Sequence, residues 1–198
     1  MSTARRSALG LIVALVAATL AGCTPGTNAP DASEANCPVQ ERKLFVLMAQ
    51  AVPSATLLPC IAALPAGWSY GGADVHDGEA TFWLASDRAG LRAVEIELTP
   101  SCRITGALDV TNATNEAGVR VYVEEFRLRP FTANRYFLFP GGCVTYRYRF
   151  GEGGDPTLAL EADEALTFGL RSVLVDKIER HLGLTLCGAS APPCPDGD

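Results

Sequence analysis

Histidine is scarce in this sequence, with only His76 and His181 among 198 residues, so few bases are available for a hydrolytic site. No Cys-x-x-Cys pair occurs, which argues against a zinc ribbon or a thioredoxin-like redox site. The longest apolar run, Ala8 to Leu20, spans 13 residues. Crossing a hydrocarbon core takes about 20 apolar residues, so this run is too short for a transmembrane anchor.

Basic residues are also in the minority, with 16 Lys and Arg against 22 Asp and Glu. The first 22 residues carry Arg5 and Arg6 and no acid, so the rest of the chain has 14 basic and 22 acidic residues, a net charge of −8. That balance argues against nucleic acid as a partner, because such a partner calls for a basic surface. It argues equally against electrostatic docking on anionic lipid.

The N-terminus has the three parts of an export signal: a basic start, an apolar run and small residues. The sequence Leu20-Ala21-Gly22-Cys23 resembles the lipobox of bacterial lipoproteins. The resemblance implies a signal peptide over residues 1–22, cleavage before Cys23, and a diacylglyceryl group on the Cys23 thiol. It therefore predicts a protein held by lipid on the extracytoplasmic face of the cell membrane. The alternative is an ordinary secretory signal cut near Ala21, with Cys23 a spare thiol.

Composition after Cys23 predicts one domain between two irregular segments. Residues 23–36 are rich in Pro, Ala and small polar residues, and such a flexible tether reaches roughly 20 Å. Residues 37–188 are long enough for a single core, and residues 189–198 are expected to form a disordered acidic tail.

Setting Cys23 aside leaves six cysteines in a chain expected to reach an oxidising compartment. Six cysteines allow 15 pairings, and the sequence alone does not choose among them. We predict three disulfides: Cys102–Cys143, Cys37–Cys60 and Cys187–Cys194.

Apolar residues at helical spacing predict three helices. The first covers Glu41 to Val52, where Pro53 stops it. The second is a short helix from Ser54 to Leu64, although Pro59 fits it poorly. The third covers Arg171 to Leu182 and ends at Gly183, with an apolar stripe of Leu170, Val173, Leu174, Ile178 and Leu182.

Period-two patterns between these helices predict strands. Residues 163–169 either extend the last helix or form another short strand. Strands in the middle and helices at both ends predict an α+β fold: an antiparallel sheet of four or five strands, stapled by disulfides, with one face under the terminal helices and the other exposed. The predicted strands are Ala80 to Ala85, Leu91 to Leu98, Val119 to Leu128, Arg135 to Phe139 and Val144 to Phe150.

Two blocks, Val52 to Trp68 and Phe139 to Phe150, are similar to uncharacterised cell-envelope proteins of high-GC Gram-positive bacteria. The resemblance implies location in the envelope. It brings no known activity and assigns no functional residue.

Gly67-Trp68-Ser69-Tyr70-Gly71 matches the G-x-S-x-G pattern of the α/β-hydrolase nucleophile, which requires a sharp strand-to-helix turn. Pro65 precedes the motif and a polar, strand-like stretch follows it. A Gly-rich turn therefore explains the pattern better than a hydrolase with Ser69 as nucleophile.

Asp74, His76, Asp77 and Glu79 form an acidic group that could hold a divalent cation weakly, but the spacing fits no calcium loop and one His makes a poor zinc site. We expect a solvated turn, no metal and no cofactor. His181 lies near the C-terminus of the last predicted helix, where a protonated His is favourable.

Four arginines on strands are the candidate ligand-binding residues: Arg127, Arg129, Arg147 and Arg149. If the two strands pair, these guanidinium groups stand on one sheet face and could grip a phosphate or carboxylate of an envelope polymer or lipid headgroup. The alternative is that Glu95 and Glu97 satisfy them through cross-strand pairs.

Two classes of function follow from the sequence. The favoured one is a non-catalytic binding or accessory module, with an anionic envelope ligand or a partner protein. The alternative is an envelope hydrolase using Ser69.

Overall fold

Two antiparallel sheets and three helices form the described part of the chain, which in the computed structural model covers residues 42–111 and 118–195. The α+β class is therefore as predicted. The elements, in chain order, are α1 (Arg42–Ala51), β1 (Leu57–Ile61), β2 (Trp68–His76), β3 (Glu79–Ser86), β4 (Gly90–Thr99), β5 (Leu108–Asp109), β6 (Arg120–Leu128), β7 (Phe131–Phe139), β8 (Gly142–Arg149), α2 (Thr157–Ala165), β9 (Leu166–Leu170) and α3 (Arg171–Leu182).

The larger sheet has seven strands in the order β2-β3-β4-β8-β7-β6-β5, so the prediction of four or five was too small. Strict alternation defines its buried face. On β3, Phe82 and Leu84 are buried opposite Ile96 and Val94 of β4. The missing strands are the two at the edges. β2 contains Gly71 and Gly72, and β5 is two residues long, so neither has the apolar alternation of a typical strand.

After β4 the chain crosses to the far edge of the same sheet, builds β5, β6 and β7 in turn, and returns through β8, which pairs with β4. The disulfide between Cys102 and Cys143 ties the start of this excursion to the start of β8, with a Cα–Cα distance of 5.6 Å. Thr99 at the end of β4 lies opposite Cys143. This predicted disulfide is confirmed, and it joins neighbouring strands.

A two-stranded ribbon, β1 paired with β9, packs on the buried face of the large sheet. Phe168 of β9 is fully buried. Its ring contacts those of Phe137, Phe139 and Tyr146 at centroid distances of 5.2, 6.1 and 6.4 Å. This aromatic cluster joins the two sheets into one core.

The predicted short helix from Ser54 to Leu64 is wrong, because residues 57–61 form β1. All five residues of β1 are buried, and a fully buried strand shows no alternation that could distinguish it from a helix. Pro59 is compatible with β1, because β1 pairs with β9 on one side only and is an edge strand on the other.

The prediction that the terminal helices cover one face of the sheet is met only in part. α1 packs on β1, β2 and β3, whereas α3 packs on β9. α2 was not predicted as a separate helix; it and β9 occupy the segment for which a helix extension or a short strand was expected. α3 has the predicted bounds, and Ile178 of the predicted stripe is buried. Arg171 and Val175 are buried as well, whereas Val173 and Leu182 are exposed.

Arg171 explains that change of stripe. Its guanidinium is fully buried and donates hydrogen bonds to three carbonyl oxygens: Ala49 at 2.7 Å, Cys187 at 2.6 Å and Ala189 at 2.9 Å. Burial lowers the pKa of Arg171. The side chain thus fastens α1 and the C-terminal segment to the start of α3.

The C-terminal segment is ordered beyond residue 188, where the sequence predicted a tail. The predicted Cys187–Cys194 disulfide is confirmed, with a Cα–Cα distance of 4.6 Å. Within this loop Gly188 N–H donates to Pro192 O, and Ala189 N–H donates to Pro53 O at 2.7 Å.

Cys60 is also disulfide-bonded. Cys37 lies outside the described residues, so the Cys37–Cys60 pairing stays a prediction. The signal peptide, Cys23 and the tether of residues 23–36 also lie outside them. Within residues 42–111 and 118–195, no helix is long and apolar enough to cross a membrane.

We predict that Phe168→Ala lowers the free energy of unfolding by about 3–5 kcal/mol, the usual cost of emptying a buried aromatic site. Urea denaturation measures it. The control Leu160→Ala removes a half-exposed side chain from α2 and should change stability by less than about 0.5 kcal/mol. Equal effects of the two variants would contradict the packing of the ribbon on the sheet.

Candidate functional site

The second face of the seven-stranded sheet, called here the open face, carries a continuous row of paired residues. α1, the ribbon and α2 all contribute to the core on the other side. The row crosses six strands from β2 to β6 and consists of Gly72, Trp83, Glu95, Arg147, Asn134 and Glu124.

Arg147 lies at the centre of the open face and is neutralised there. Its Nη1 donates to Glu95 Oε1 at 3.0 Å, and its Nη2 forms an ion pair with Glu97. Burial raises the pKa of Glu97, and the Arg147 guanidinium opposes that rise. Both carboxylates belong to β4, next to β8. Arg147 therefore forms the cross-strand pairs with Glu95 and Glu97 that were the alternative to ligand binding.

Arg149, two residues further along β8, is held by amide groups. Its guanidinium donates to the Asn134 side chain at 3.2–3.3 Å and to the carbonyl oxygens of Ala133 and Tyr148. Asn134 in turn donates to the Tyr136 hydroxyl, and Tyr136 donates to Glu124 Oε2 at 3.0 Å. The open face therefore carries two polar groups, one around Arg147 and one that runs from Arg149 to Glu124.

A tryptophan stack near β2 was not anticipated from the sequence. The guanidinium of Arg92 lies 3.9 Å from the centre of the Trp83 ring, a cation–π contact. The ring also covers the backbone of β2, since a Cβ on Gly71 would come within 2.5 Å of it. The facing pair of Trp83 with two consecutive glycines is the signal that could have revealed the contact.

Arg127 and Arg129 do not lie where the sequence predicted, because β6 and β8 do not pair and β7 lies between them. Arg127 is opposite Thr132, which is opposite Arg149, so the two arginines are two strand spacings apart, about 10 Å. Arg129 follows the end of β6 in the turn to β7. Three of the four arginines thus share the open face, and Arg129 extends beyond the sheet end.

Ser69 lies within β2, opposite Ala85, and is exposed. The G-x-S-x-G residues therefore do not form a strand-to-helix turn, which is what makes such a serine nucleophilic. His76 lies seven residues further along β2, about 23 Å away in an extended strand.

The acidic group near His76 flanks the exposed β2–β3 turn: Asp74 and His76 belong to β2, Asp77 lies in the turn, and Glu79 begins β3. His76 Nδ1 is 3.4 Å from Asp74 Oδ1, and Nε2 is 3.9 Å from Glu79 Oε1. Over the described ranges, no cluster of His, Cys, Asp and Glu side chains is arranged to hold a metal ion. His181 is exposed in the last turn of α3.

A buried ion pair on the opposite face also escaped prediction. Arg135 projects from β7 toward α2, where it pairs with Asp163, and the Tyr148 hydroxyl donates to the same carboxylate. Burial raises the pKa of Asp163, and the Arg135 charge lowers it. The sequence signal for this ion pair was Arg135 itself, which alternates with the buried Ala133 and Phe137 and so lies on the core face of β7. The contact fixes α2 on the sheet.

Comparison with protein-family models, curated proteins and solved structures found no match to this chain. Any function must therefore be argued from the residues and their arrangement.

We predict that Arg147→Ala destabilises the domain by about 1–2 kcal/mol at pH 7, because it leaves Glu97 half-buried without its cation. Arg147 is 35% exposed and Glu97 is 12% exposed, so the loss stays below that of a fully buried pair. Burial already raises the pKa of Glu97, and removing Arg147 raises it further. Since protonated Glu97 needs no cation, the loss should shrink as the pH falls from 7 toward 5.

Urea denaturation at both pH values measures the effect. The matched control is the double variant Arg147→Ala, Glu97→Gln. Its loss of stability relative to the unchanged protein should hardly vary between pH 7 and pH 5. A deficit for Arg147→Ala that is the same at both pH values would refute the coupling between the two side chains.

Proposed function

We propose that this chain is a membrane-tethered extracytoplasmic lipoprotein whose folded domain is a non-catalytic binding or accessory module of the cell envelope. The observation that carries the location is the lipobox-like Leu20-Ala21-Gly22-Cys23 directly after an export signal. The disulfides of the domain support it, because such bonds persist in oxidising compartments.

The open face supports a binding role for the domain. The guanidinium groups of Arg147 and Arg149 are oriented by fixed partners, and Arg127, Arg129 and Arg149 are exposed toward one end of the sheet. Guanidinium groups bind phosphate and carboxylate through paired hydrogen bonds. An anionic ligand of the envelope is therefore the proposed ligand class, and Arg147 acts by ordering the face.

No observation favours the hydrolase alternative. Ser69 is an ordinary exposed strand residue opposite Ala85, and the nearest histidine along β2 is too distant to activate it.

We predict that the protein made in a bacterium with lipoprotein-processing enzymes incorporates labelled palmitate and partitions into the detergent phase of Triton X-114. Cys23→Ser removes the acceptor thiol and should abolish the label. The matched control Thr24→Ala keeps the thiol and should remain labelled. Palmitate label on the Cys23→Ser protein would refute lipidation at this residue.

A further inference from the structure

Two strand connections meet at one end of the large sheet, on either side of the end of β8. Phe150 N–H donates to Phe131 O at 3.0 Å, which brings the β6–β7 turn against β8. Gly151 N–H donates to Ala89 O at 2.8 Å, which does the same for the β3–β4 turn. Three strand spacings separate β4 from β6, so the two turns are about 14 Å apart.

Beside each of these turns, a leucine near the end of a strand is exposed to solvent. Leu91 is 87% exposed and Leu128 is 61% exposed. They are two of the three most exposed large apolar side chains in the described ranges. Single exposed leucines are common on protein surfaces, so the leucines alone identify no partner.

Arginines flank both leucines. Leu128 stands between Arg127 and Arg129, and Arg92 follows Leu91; all three arginines are exposed. Among the described residues, neither Arg127 nor Arg129 forms an ion pair. A leucine between extended basic side chains suits an interface in which the apolar part enters the acyl boundary and the charges stay among headgroups.

Acidic residues lie at both ends of the large sheet. Asp74, Asp77 and Glu79 lie at the β2–β3 turn, at the opposite end of the sheet. At the arginine end, Asp87 in the β3–β4 turn pairs with Arg88, and the loop after β8 contributes Glu152 and Asp155. Hydrogen bonds from the Thr157 backbone and hydroxyl, together with the Arg129 charge, lower the pKa of Asp155. The net charge of −8 therefore opposes docking of the domain in most orientations, and the exposed Arg127 and Arg129 make the arginine end the better one to face an anionic bilayer.

We propose that this sheet end, formed by Leu91, Arg92, Arg127, Leu128 and Arg129, docks on a bilayer surface that carries anionic headgroups. The proposal rests on the proposed membrane-tethered location and gives the anionic ligand class one identity: the lipid headgroups beside the anchor. A tether reaching roughly 20 Å leaves the domain within contact distance of that surface. The covalent lipid supplies attachment, and the sheet end sets the orientation.

Quenching of tryptophan fluorescence by brominated lipid tests this orientation in the full lipidated protein. Leu128→Trp places a reporter at the docking end, and Asp77→Trp places a matched reporter at the opposite end. Each protein is reconstituted into vesicles of brominated phosphatidylcholine, with or without phosphatidylglycerol. The native Trp68 and Trp83 contribute the same background to both reporters.

The expected result is quenching of Leu128→Trp well above Asp77→Trp, rising with the phosphatidylglycerol fraction and falling at high salt. Adding Arg127→Ala and Arg129→Ala should weaken the interaction by roughly tenfold or more, measured as the phosphatidylglycerol fraction needed for half-maximal quenching. Equal quenching at the two positions, or no dependence on phosphatidylglycerol, would overturn the proposal. So would loss of quenching on adding millimolar glycerol phosphate, since a soluble anion would then be the preferred ligand.

Failure of lipidation is read separately, from the mass of the N-terminal peptide that contains Cys23. An unmodified Cys23 refutes the proposed anchor. Because quenching reports where the domain sits on the vesicle, it judges the docking surface in either case.

Discussion

Burial of only one face of the seven-stranded sheet is the constraint on which the rest of the structure depends. The β1–β9 ribbon achieves it by placing Phe168 among the aromatic side chains of β7 and β8. Every strand must then keep its register, because a shift by one residue would exchange the two faces. The Cys102–Cys143 disulfide helps to hold the register where β4 ends and β8 begins.

That constraint leaves a broad polar face. The segment after β4 covers it near Cys143 and Thr145, which are buried, and the charges further along the face are satisfied without a covering layer. The structure satisfies them laterally: Arg147 bridges two glutamates of β4, and Arg149 is held by Asn134. The centre of the open face is thus neutral and ordered. The charges that remain for a ligand lie at the sheet end, where Arg127 and Arg129 flank an exposed leucine.

The strands with clear alternation were predictable, since each has one wet and one buried face. β1 was not, because a fully buried run such as Leu57 to Ile61 has no period and its spacing also fits a helix. α3 showed the opposite problem: its bounds were readable, but its buried stripe depends on Arg171, whose three carbonyl acceptors come from distant parts of the chain.

The positions of the candidate-site arginines on strands could likewise be predicted from the sequence, whereas the residues that surround them could not. Sequence spacing showed that Arg127 and Arg147 stand on strands, but strand order decides which groups surround them. The insertion of β7 between β6 and β8 separates the arginines and places Thr132 between Arg127 and Arg149. Proximity across a sheet is a property of topology, and a single sequence with no matching relative does not reveal it.

Amide hydrogen exchange of the lipidated protein on vesicles tests most directly the claim that one end of the sheet faces the bilayer. Addition of phosphatidylglycerol to phosphatidylcholine vesicles should slow exchange in peptides covering residues 86–92 and 127–131, and leave the β2–β3 turn at residues 76–79 unchanged. Uniform exchange in both vesicle types, or slower exchange at the β2–β3 turn, would contradict the account.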